Sequence, residues 1–339
     1  MVDLIAAAAA VGRPLRVGVI GAGIMGADHA NTLRRSVRGA EVTAVADVDL
    51  DRAKAAAAGA TAYDDAFALI ADPAVDAVLV ASHDSVHAAQ VVAAVKAGKA
   101  VLCEKPLAPT PAEGRQVLRD IGATGEALLS LGFMRRFDPG YVQLRQAIDD
   151  GSIGAPVLVH NVSRGVSSAP NATSEFSITG SAIHECDVVP WLLRSPVVEV
   201  SWIAPRRSSQ AVEGMQDPQL IHLRTADGVL STVETFLNAR YGYVVRCEVV
   251  GENGTMSLTE PARVVVEGEL KRSTGYAADW RPRFADAYRI ELQAWVDSVL
   301  AGEPTPLATG RDGVAASAVA EAIVTSMHEG GRVTKVEQS

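Results

Sequence analysis

The 339-residue sequence contains few cysteines, few aromatic residues and no long apolar run. Its three cysteines, Cys103, Cys186 and Cys247, lie far apart and form no CxxC pair, which argues against a disulfide framework. We therefore expect a reducing, cytoplasmic compartment. No apolar run reaches the roughly 18 residues that span a bilayer, so we expect no membrane partner.

Basic residues are also scarce relative to acidic ones. The chain has 31 Lys and Arg against 40 Asp and Glu, for a net charge of −9. An acidic chain without a basic cluster does not attract nucleic acids or anionic membranes. We therefore expect a small-molecule substrate and no nucleic-acid partner. The length favours two domains, because one hydrophobic core rarely supports so long a chain.

Short apolar runs alternate with alanine-rich helical segments up to about Pro106. This alternation predicts βαβ units and a doubly wound parallel sheet. The predicted strands are Leu15–Ile20, Val42–Ala46, Thr61–Tyr63, Ala77–Ala81 and Ala100–Cys103. The predicted domain covers residues 1–125, of which 1–14 form an N-terminal arm.

Alternating segments separated by turn signals predict a different architecture over residues 126–339. Pro156–Arg164 is a predicted strand, and Gly165–Thr179 a polar stretch without regular structure. A helix carrying His184 follows, then several strands, and then two final helices near Asp279–Ala301 and Gly310–Glu329. The pattern predicts an α+β domain with a mostly antiparallel sheet. Together with the parallel sheet of the first domain, this gives the chain an α/β fold class.

A glycine-rich turn directly follows the first predicted strand and opens a helix. In Gly21-Ala-Gly23-Ile-Met-Gly26, the first glycine permits a tight turn and the second lets the backbone approach a pyrophosphate. Gly26 allows close packing of helix and strand, and Ile24 and Met25 begin the helix whose N–H groups face the pyrophosphate. The context predicts a dinucleotide site.

The second strand ends at Asp47, which is placed to accept hydrogen bonds from a ribose. Asp49 and Asp51 follow closely, and they would repel a 2′-phosphate. We therefore predict NAD as the cofactor, with NADP less favoured.

Ser82, His83 and His87 follow the fourth strand at the edge where the cofactor is expected. His83 and His87 have the i, i+4 spacing of helical metal ligands, but no cysteine or third histidine lies nearby. We predict that they line the cofactor site and that no metal is bound.

The fifth strand ends in Glu104-Lys105-Pro106, at its carboxyl end, where ligands bind in parallel sheets. Beside a nicotinamide ring, Lys105 is placed to exchange a proton with a substrate hydroxyl. Glu104 and Lys105 are therefore predicted to belong to the cofactor site as well.

About 80 residues after this Glu-Lys-Pro comes His184-Glu-Cys-Asp187. With this combination the chain resembles the Gfo/Idh/MocA oxidoreductases, and among them the bacterial inositol 2-dehydrogenases, over nearly its whole length. Further resemblance lies in residues 132–138, 181–187, 238–243 and 284–288. It implies a Rossmann domain and a domain with an open antiparallel sheet, whose exposed face forms a homo-tetramer or dimer.

The resemblance also implies roles for individual residues. Lys105 would move the proton, His184 would assist it, and Asp187 would hydrogen-bond the substrate. The residues themselves agree, because imidazole titrates near neutrality and positions three apart share one helix face. The substrate pocket would include Arg135, Tyr243 and Tyr288.

Three positions depart from the inositol dehydrogenase pattern. An aspartate is usual where this chain has Gly180, on the face of His184, and histidine and asparagine are usual in place of Ser163 and Gly165. A charge-assisted hydrogen bond contributes roughly 1.5–3 kcal/mol, so these exchanges weaken recognition of a bare polyhydroxylated ring. We predict a wider, less polar pocket.

The predicted function is NAD-dependent interconversion of a secondary alcohol and a ketone on a cyclitol or sugar-like ring. Two alternatives stay open. One is an NAD(P)H-dependent reductase of a ketone or imine in a larger, less polar metabolite. The other is a non-catalytic NAD-binding sensor, against which the presence of Lys105, His184 and Asp187 argues.

Overall fold

The computed structural model describes residues 13–259 and 264–338. The predicted N-terminal arm over residues 1–14 therefore lies almost entirely outside the described residues. The chain divides into two compact units. The first unit comprises Met1–Phe137 and Asp286–Ala315, and the second comprises Asp138–Ala285 and Ala316–Ser339.

The first unit contains a seven-stranded sheet. Its strands are β1 (Leu15–Ile20), β2 (Ala40–Ala46), β3 (Thr61–Tyr63), β4 (Ala77–Val80), β5 (Ala100–Glu104), β6 (Leu129–Gly132) and β15 (Ala308–Thr309). They lie in the order β15-β6-β5-β4-β1-β2-β3. All neighbours pair in parallel except β15, which runs antiparallel to β6.

Helices alternate with these strands, as the sequence predicts. They are α1 (Ile24–Ser36), α2 (Leu50–Ala57), α3 (Ala66–Ala71), α4 (Asp84–Lys96), α5 (Pro111–Glu126), a 3₁₀ helix (Met134–Phe137) and α10 (Ala285–Ala301). Side-chain oxygens of Asp49, Asp65 and Thr110 accept hydrogen bonds from backbone N–H groups at the starts of α2, α3 and α5. Each such cap contributes about 1 kcal/mol, which fixes where the helix begins.

The core of the first unit lies against its central strands. Val17, Leu79 and Leu102 are at most 2% exposed, in agreement with near-continuous apolar runs buried on both faces. Trp295 of α10 belongs to the same core. Because α10 contributes to this core, residues 286–315 belong to the first unit although most strands of the second unit precede them in sequence.

The division into units does not coincide with the predicted boundary between residues 125 and 126. Strand β6 lies beyond that boundary, yet it pairs in parallel with β5, placing Leu129 opposite Val101. The first unit therefore extends to Phe137 and gains a later segment.

The second unit is built on another seven-stranded sheet, in which β7 (Pro156–Arg164), a strand with the predicted bounds, lies between β11 and β10. The other strands are β8 (Val197–Ile203), β9 (Gln219–Thr225), β10 (Leu230–Phe236), β11 (Val244–Gly251), β12 (Thr255–Ser257) and β16 (Thr334–Lys335). Their order is β12-β11-β7-β10-β9-β8-β16, and only the β10–β7 pairing is parallel. Strands β13 (Val265–Gly268) and β14 (Lys271–Thr274) form a separate hairpin.

The helices of the second unit include one irregular segment. They are α6 (Pro139–Asp149), the short α7 (Ser174–Phe176), a π-helix (Ser177–Ala182), α8 (Ile183–Leu193), α9 (Trp280–Arg283) and, shared with the first unit, α11 (Gly310–His328). The prediction that Gly165–Thr179 has no regular structure is thus wrong for its last six residues, which lie in α7 and in the π-helix. The Thr173 hydroxyl accepts from the Phe176 N–H at 3.1 Å, and the buried Ser177 hydroxyl lies 3.1 Å from that of Thr235. Across the described residues, no helix is long and apolar enough to cross a membrane.

Candidate active site

The glycine turn between β1 and α1 has the geometry of a dinucleotide cradle. Gly21 has a φ of +91°, and a Cβ there would lie 2.5 Å from the Ala81 carbonyl oxygen. A Cβ on Gly26 would lie 1.7 Å from the Gly21 oxygen, so this position also requires glycine. Gly23 differs, because a Cβ there would meet no atom within 4 Å. The open space at Gly23 is where a pyrophosphate can approach the backbone.

Helix α1 begins at Ile24 directly after Gly23, which provides no side-chain cap. The first N–H groups of a helix have no acceptor within the helix, and they carry a partial positive charge. Ile24 is 59% exposed, so this helix end lies at the surface of the unit. Ile24 and Met25 therefore lie in the first turn of α1, whose N–H groups are suited to an anion.

Asp47 lies at the carboxyl end of β2, beside the glycine turn. Its Oδ2 accepts from the Ala22 N–H at 2.7 Å, and its Oδ1 accepts from the Asp49 N–H at 2.9 Å and from Arg52 at 2.8 Å. Burial opposes ionisation of Asp47, but these hydrogen bonds outweigh it and lower the pKa of the carboxyl. A carboxylate that is ionised at neutral pH suits a ribose hydroxyl and repels a 2′-phosphate.

The turn after β4 carries two of the predicted cofactor residues. The Ser82 hydroxyl donates to Gln90 Oε1 at 2.7 Å. The exposed His83 caps α4, where its Nδ1 accepts from the Ser85 N–H at 3.3 Å. Both residues stand at the carboxyl edge of the sheet, as the cofactor prediction requires.

His87 has a different environment from the one predicted. It is 2% exposed, with Nδ1 at 2.8 Å from the Pro106 carbonyl oxygen and Nε2 at 3.1 Å from that of Ser82. Each ring nitrogen thus faces a backbone carbonyl oxygen, and a neutral ring donates to one of the two. No cluster of three or more potential metal ligands occurs within residues 13–259 and 264–338.

Glu104 and Lys105 end β5 at the same edge. Glu104 Oε1 lies 2.7 Å from His29 Nε2, and Glu104 Oε2 accepts from the Lys105 backbone N–H at 3.2 Å. Burial opposes ionisation of Glu104, but His29 and Lys105 outweigh it and lower the pKa of this carboxyl. The carboxylate therefore holds the backbone of Lys105, whose side chain is half-buried.

Two predicted pocket residues belong to the first unit. The Tyr288 ring meets His29 edge-on, with ring centroids 5.4 Å apart, so it packs against the histidine that pairs with Glu104. Arg135 is 1% exposed in the 3₁₀ helix that follows β6. Since Gly132 at the end of β6 pairs with Glu104, Arg135 also follows the carboxyl edge.

His184 and Asp187 lie in the first turns of α8, in the second unit. Asp187 is 2% exposed, and His184 is half-buried. Cys186 between them is buried, which raises the pKa of its thiol and keeps it unreactive at neutral pH. The helix therefore presents His184 and Asp187 on one face, three positions apart.

Gly180 lies within the π-helix that precedes α8. The i→i+5 pattern of this segment replaces the α-helical turn that the sequence predicts before His184. A Cβ on Gly180 would lie 2.7 Å from Cε2 and 2.9 Å from Cζ of Phe176. The aromatic ring of Phe176 thus occupies the space that a side chain at position 180 would need.

The remaining predicted pocket residues meet at one end of the second sheet. Ser163 is 3% exposed near the end of β7, opposite Thr235 of β10 and Val245 of β11. The Gly165 N–H donates to the Phe236 oxygen at 2.9 Å, and a Cβ on Gly165 would lie 2.9 Å from the Leu237 oxygen. Close packing against the Leu237 backbone therefore explains a glycine at position 165 independently of the substrate.

Tyr243 lies at the same end of that sheet, just before β11. Its N–H donates to the Ala277 oxygen at 3.0 Å, and its ring meets Phe284 edge-on at a centroid distance of 6.4 Å. The hydrogen bond between Ser177 and Thr235 ties the π-helix to the end of β10 in this region.

Two family models match the chain. The model for the oxidoreductase family with an NAD-binding Rossmann fold spans residues 15–133, and that for the family's C-terminal alpha/beta domain spans residues 145–335. Both models carry the name Gfo/Idh/MocA. The chain belongs to this oxidoreductase family.

Curated relatives within the family are similar over nearly their whole length. Inositol 2-dehydrogenase 2 of Paenarthrobacter aurescens is 54% identical over 96% of this chain and 100% of its own. Inositol 2-dehydrogenase 1 of Saccharopolyspora erythraea is 49% identical over 93% of this chain and 95% of its own.

A solved structure of the family has the same fold. The myo-inositol dehydrogenase of Lactobacillus casei, in complex with NAD(H) and myo-inositol, superposes with a TM-score of 0.91 at 34% identity. The match covers 96% of this chain and 98% of that one. The predicted family, the two-part α/β fold, the oxidoreductase class and NAD as cofactor are thereby confirmed.

Two residues of this Gfo/Idh/MocA oxidoreductase were missed by sequence reasoning. His29 lies on α1 three residues after Gly26, so the sequence places it near the glycine turn. Its contact with Glu104 could not be predicted, because the two residues are 75 positions apart. Phe176 lies in the polar stretch predicted to be irregular, and nothing in its neighbours indicates that its ring packs over Gly180.

Proposed function

We propose that the chain is an NAD-dependent dehydrogenase that oxidises a secondary alcohol of a cyclitol. One observation carries this proposal: Lys105 follows a buried strand at the carboxyl edge that also carries the glycine turn and Asp47. The relatives named as inositol 2-dehydrogenases support the cyclitol as substrate class.

The residues present fit NAD, because Gly23 leaves open space and Asp47 offers an ionised carboxylate at the end of β2. When bound, NAD supplies the acceptor for a hydride from the alcohol carbon. Lys105 takes the hydroxyl proton as the ketone forms, and Glu104 fixes the Lys105 backbone meanwhile. His184 assists the proton movement, and Asp187 orients the substrate by accepting a hydroxyl hydrogen bond.

The pocket proposed for this chain is less polar than that of a dehydrogenase with an aspartate at position 180. The Phe176 ring fills the corresponding space, and Gly165 leaves no room for a polar side chain without a shift of the Leu237 backbone. We infer a cyclitol that carries an apolar substituent, such as an O-methyl group, toward Phe176.

We further propose a cytoplasmic homo-oligomer, a tetramer or a dimer. The second sheet supports this, because alternate residues of its strands are half-exposed although several are apolar, including Leu158, Leu220 and Phe236. Burying such a face between copies stabilises an assembly. Sedimentation analysis tests the proposal, and a monomer at micromolar concentration contradicts it.

The function is tested by NADH formation from NAD with myo-inositol and with an O-methylated inositol. The parent protein is compared with Gly180→Asp and with the matched control Gly180→Ala, which displaces the Phe176 ring without adding charge. We expect the parent to favour the methylated ring. Gly180→Asp shifts the preference toward myo-inositol by about tenfold or more, the equivalent of one charge-assisted hydrogen bond.

Three results would contradict this account. Equal shifts in Gly180→Ala and Gly180→Asp would show that the carboxylate is irrelevant. A parent that favours myo-inositol would remove the argument for an apolar substituent. NADH consumption with a ketone, without NADH formation from any cyclitol, would favour the reductase.

A further inference from the structure

The buried His87 connects two turns that the proposed reaction uses. Its Nδ1 lies 2.8 Å from the carbonyl oxygen of Pro106, in the turn that carries Lys105. Its Nε2 lies 3.1 Å from the carbonyl oxygen of Ser82, in the turn after β4. The ring is 2% exposed, so water does not compete for these contacts.

The surroundings hold the His87 ring in place. His87 and Gln90 lie three apart on the buried face of α4, and Gln90 is 6% exposed. Gln90 accepts from the Ser82 hydroxyl at 2.7 Å, so the same helix face holds the Ser82 turn twice. The Ser82 turn is thus tied to α4 by Gln90, and the His87 ring on the same helix contacts the Pro106 carbonyl at the shorter of its two distances.

We propose that His87 is a positioning residue for Lys105. It sets the separation between the turn that receives the cofactor and the turn that carries the proton-accepting lysine. This inference rests on the proposed function for the role of Lys105. A displacement of about 1 Å in a reacting group can lower a rate by 10²-fold, so loss of this bridge reduces turnover without a large change in the fold.

Lys99 provides a matched control at the opposite ends of the same two strands. It is 8% exposed, and its Nζ donates to the carbonyl oxygens of Asp72 and Val75. Lys99 directly precedes β5, and Val75 lies just before β4. Lys99, at the amino end of β5, therefore holds two backbone carbonyls that precede β4, while His87 contacts carbonyls beyond the carboxyl ends of β4 and β5.

The experiment compares His87→Leu, His87→Gln and Lys99→Met in the full chain. The readouts are the thermal midpoint, the Kd for NAD, and kcat and KM with the cyclitol that the parent oxidises. We expect His87→Leu to lower kcat by about 10–100-fold and to weaken NAD binding by several-fold, at nearly constant substrate KM. His87→Gln, whose amide donates to carbonyl oxygens, restores part of kcat.

Lys99→Met is expected to lower the thermal midpoint and leave kcat and the NAD Kd within about twofold, because it lies away from the ligand edge. The proposal is overturned if His87→Leu loses only stability, or if Lys99→Met loses kcat to the same degree. If the parent oxidises no cyclitol, the proposed function fails. The NAD Kd then decides the positioning role, because unchanged NAD affinity in His87→Leu and in His87→Gln overturns it.

Discussion

The two edges of the first unit's sheet use similar groups for different purposes. At the amino edge, the Asp76 carboxylate accepts from Arg13 at 2.6 Å, from Arg16 at 2.8 Å and from the Arg16 backbone N–H at 3.0 Å. At the carboxyl edge, Asp47 also accepts several hydrogen bonds, but it stands beside the open space at Gly23.

This comparison shows where the chain separates stability from binding. Charged groups at the amino edge are paired within the protein, so they contribute to folding and offer little to a ligand. The carboxyl edge combines the glycine turn, a helix start and a half-buried lysine, and the carboxyl ends of the strands are where ligands bind in open parallel sheets. Substitutions at the carboxyl edge should therefore change binding and catalysis, whereas those at the amino edge should change stability.

The largest effect is expected for Lys105→Met. Removal of the proton acceptor should lower kcat by about 10²–10⁴-fold, the usual contribution of a general base. NAD affinity should stay within about threefold, since the pyrophosphate and ribose contacts are elsewhere. Steady-state kinetics and fluorescence titration with NAD measure the two quantities.

The matched control is Lys54→Met, which removes an exposed lysine on α2 that pairs with Asp51 at 3.6 Å. It should leave both quantities unchanged. Full turnover in Lys105→Met would remove Lys105 from the chemistry.

Gly23→Ala should weaken NAD binding by about 10–100-fold, equivalent to roughly 1.4–2.7 kcal/mol. The new methyl group meets no protein atom within 4 Å, so it should block only the approaching pyrophosphate. Titration calorimetry gives the affinity, and thermal unfolding should show an unchanged midpoint.

Gly268→Ala in the hairpin is a suitable comparison, because its Cβ also meets nothing within 4 Å. Equal NAD affinity in the parent and Gly23→Ala would place the pyrophosphate elsewhere.

Asp47→Ser should raise the preference for NADP relative to NAD by about tenfold, since a like-charge contact with a phosphate costs several kcal/mol. Arg52, which now pairs with Asp47 at 2.8 Å, becomes available to the phosphate. The ratio of kcat/KM for the two cofactors measures the change.

Asp65→Ser serves as control, because Asp65 caps α3 and serine retains that cap. A cofactor ratio that moves equally in Asp65→Ser, or stays constant in Asp47→Ser, would contradict the assignment of Asp47 to the ribose.

The smallest effect is expected at the amino edge. Asp76→Asn should lower the free energy of unfolding by about 1 kcal/mol at neutral pH, the net value of a hydrogen bond, and leave kinetics unchanged. Burial opposes ionisation of Asp76, but Arg16 and Arg13 outweigh it and hold its pKa well below the ordinary 3.8.

A carboxyl whose folded-state pKa is lowered stabilises the fold above its unfolded-state pKa, and this contribution disappears as the pH falls. The difference between parent and Asp76→Asn should therefore shrink below about pH 4, as urea unfolding at several pH values will show. A difference that grows on acidification would contradict this prediction.

Much of the first unit could be predicted from sequence because its signals are local. Leu15–Ile20 and Thr61–Tyr63 begin and end where the apolar runs do. The glycine turn has fixed spacing, and Asp47 follows from the end of the next strand. Likewise Pro156–Arg164 was predicted with its observed bounds.

The parts that were missed depend on contacts between distant residues. Trp295 joins the core of the first unit, but its apolar helix pattern does not reveal which core it enters. The π-helix over Ser177–Ala182 depends on hydrogen-bond spacing, which residue types do not determine. His87 has the spacing of a metal ligand, and only the positions of two carbonyl oxygens distinguish a bridge from a ligand.

The most direct test of the account uses an inositol that carries deuterium on every ring carbon. The protein is incubated with NAD and the labelled ring, either bare or O-methylated, and the reduced cofactor is examined by mass spectrometry. The account predicts one deuterium in each reduced nicotinamide, one ketone formed with it, and a slower reaction than with the unlabelled ring. Tight NAD binding without any labelled product from either ring would contradict cyclitol oxidation by this chain.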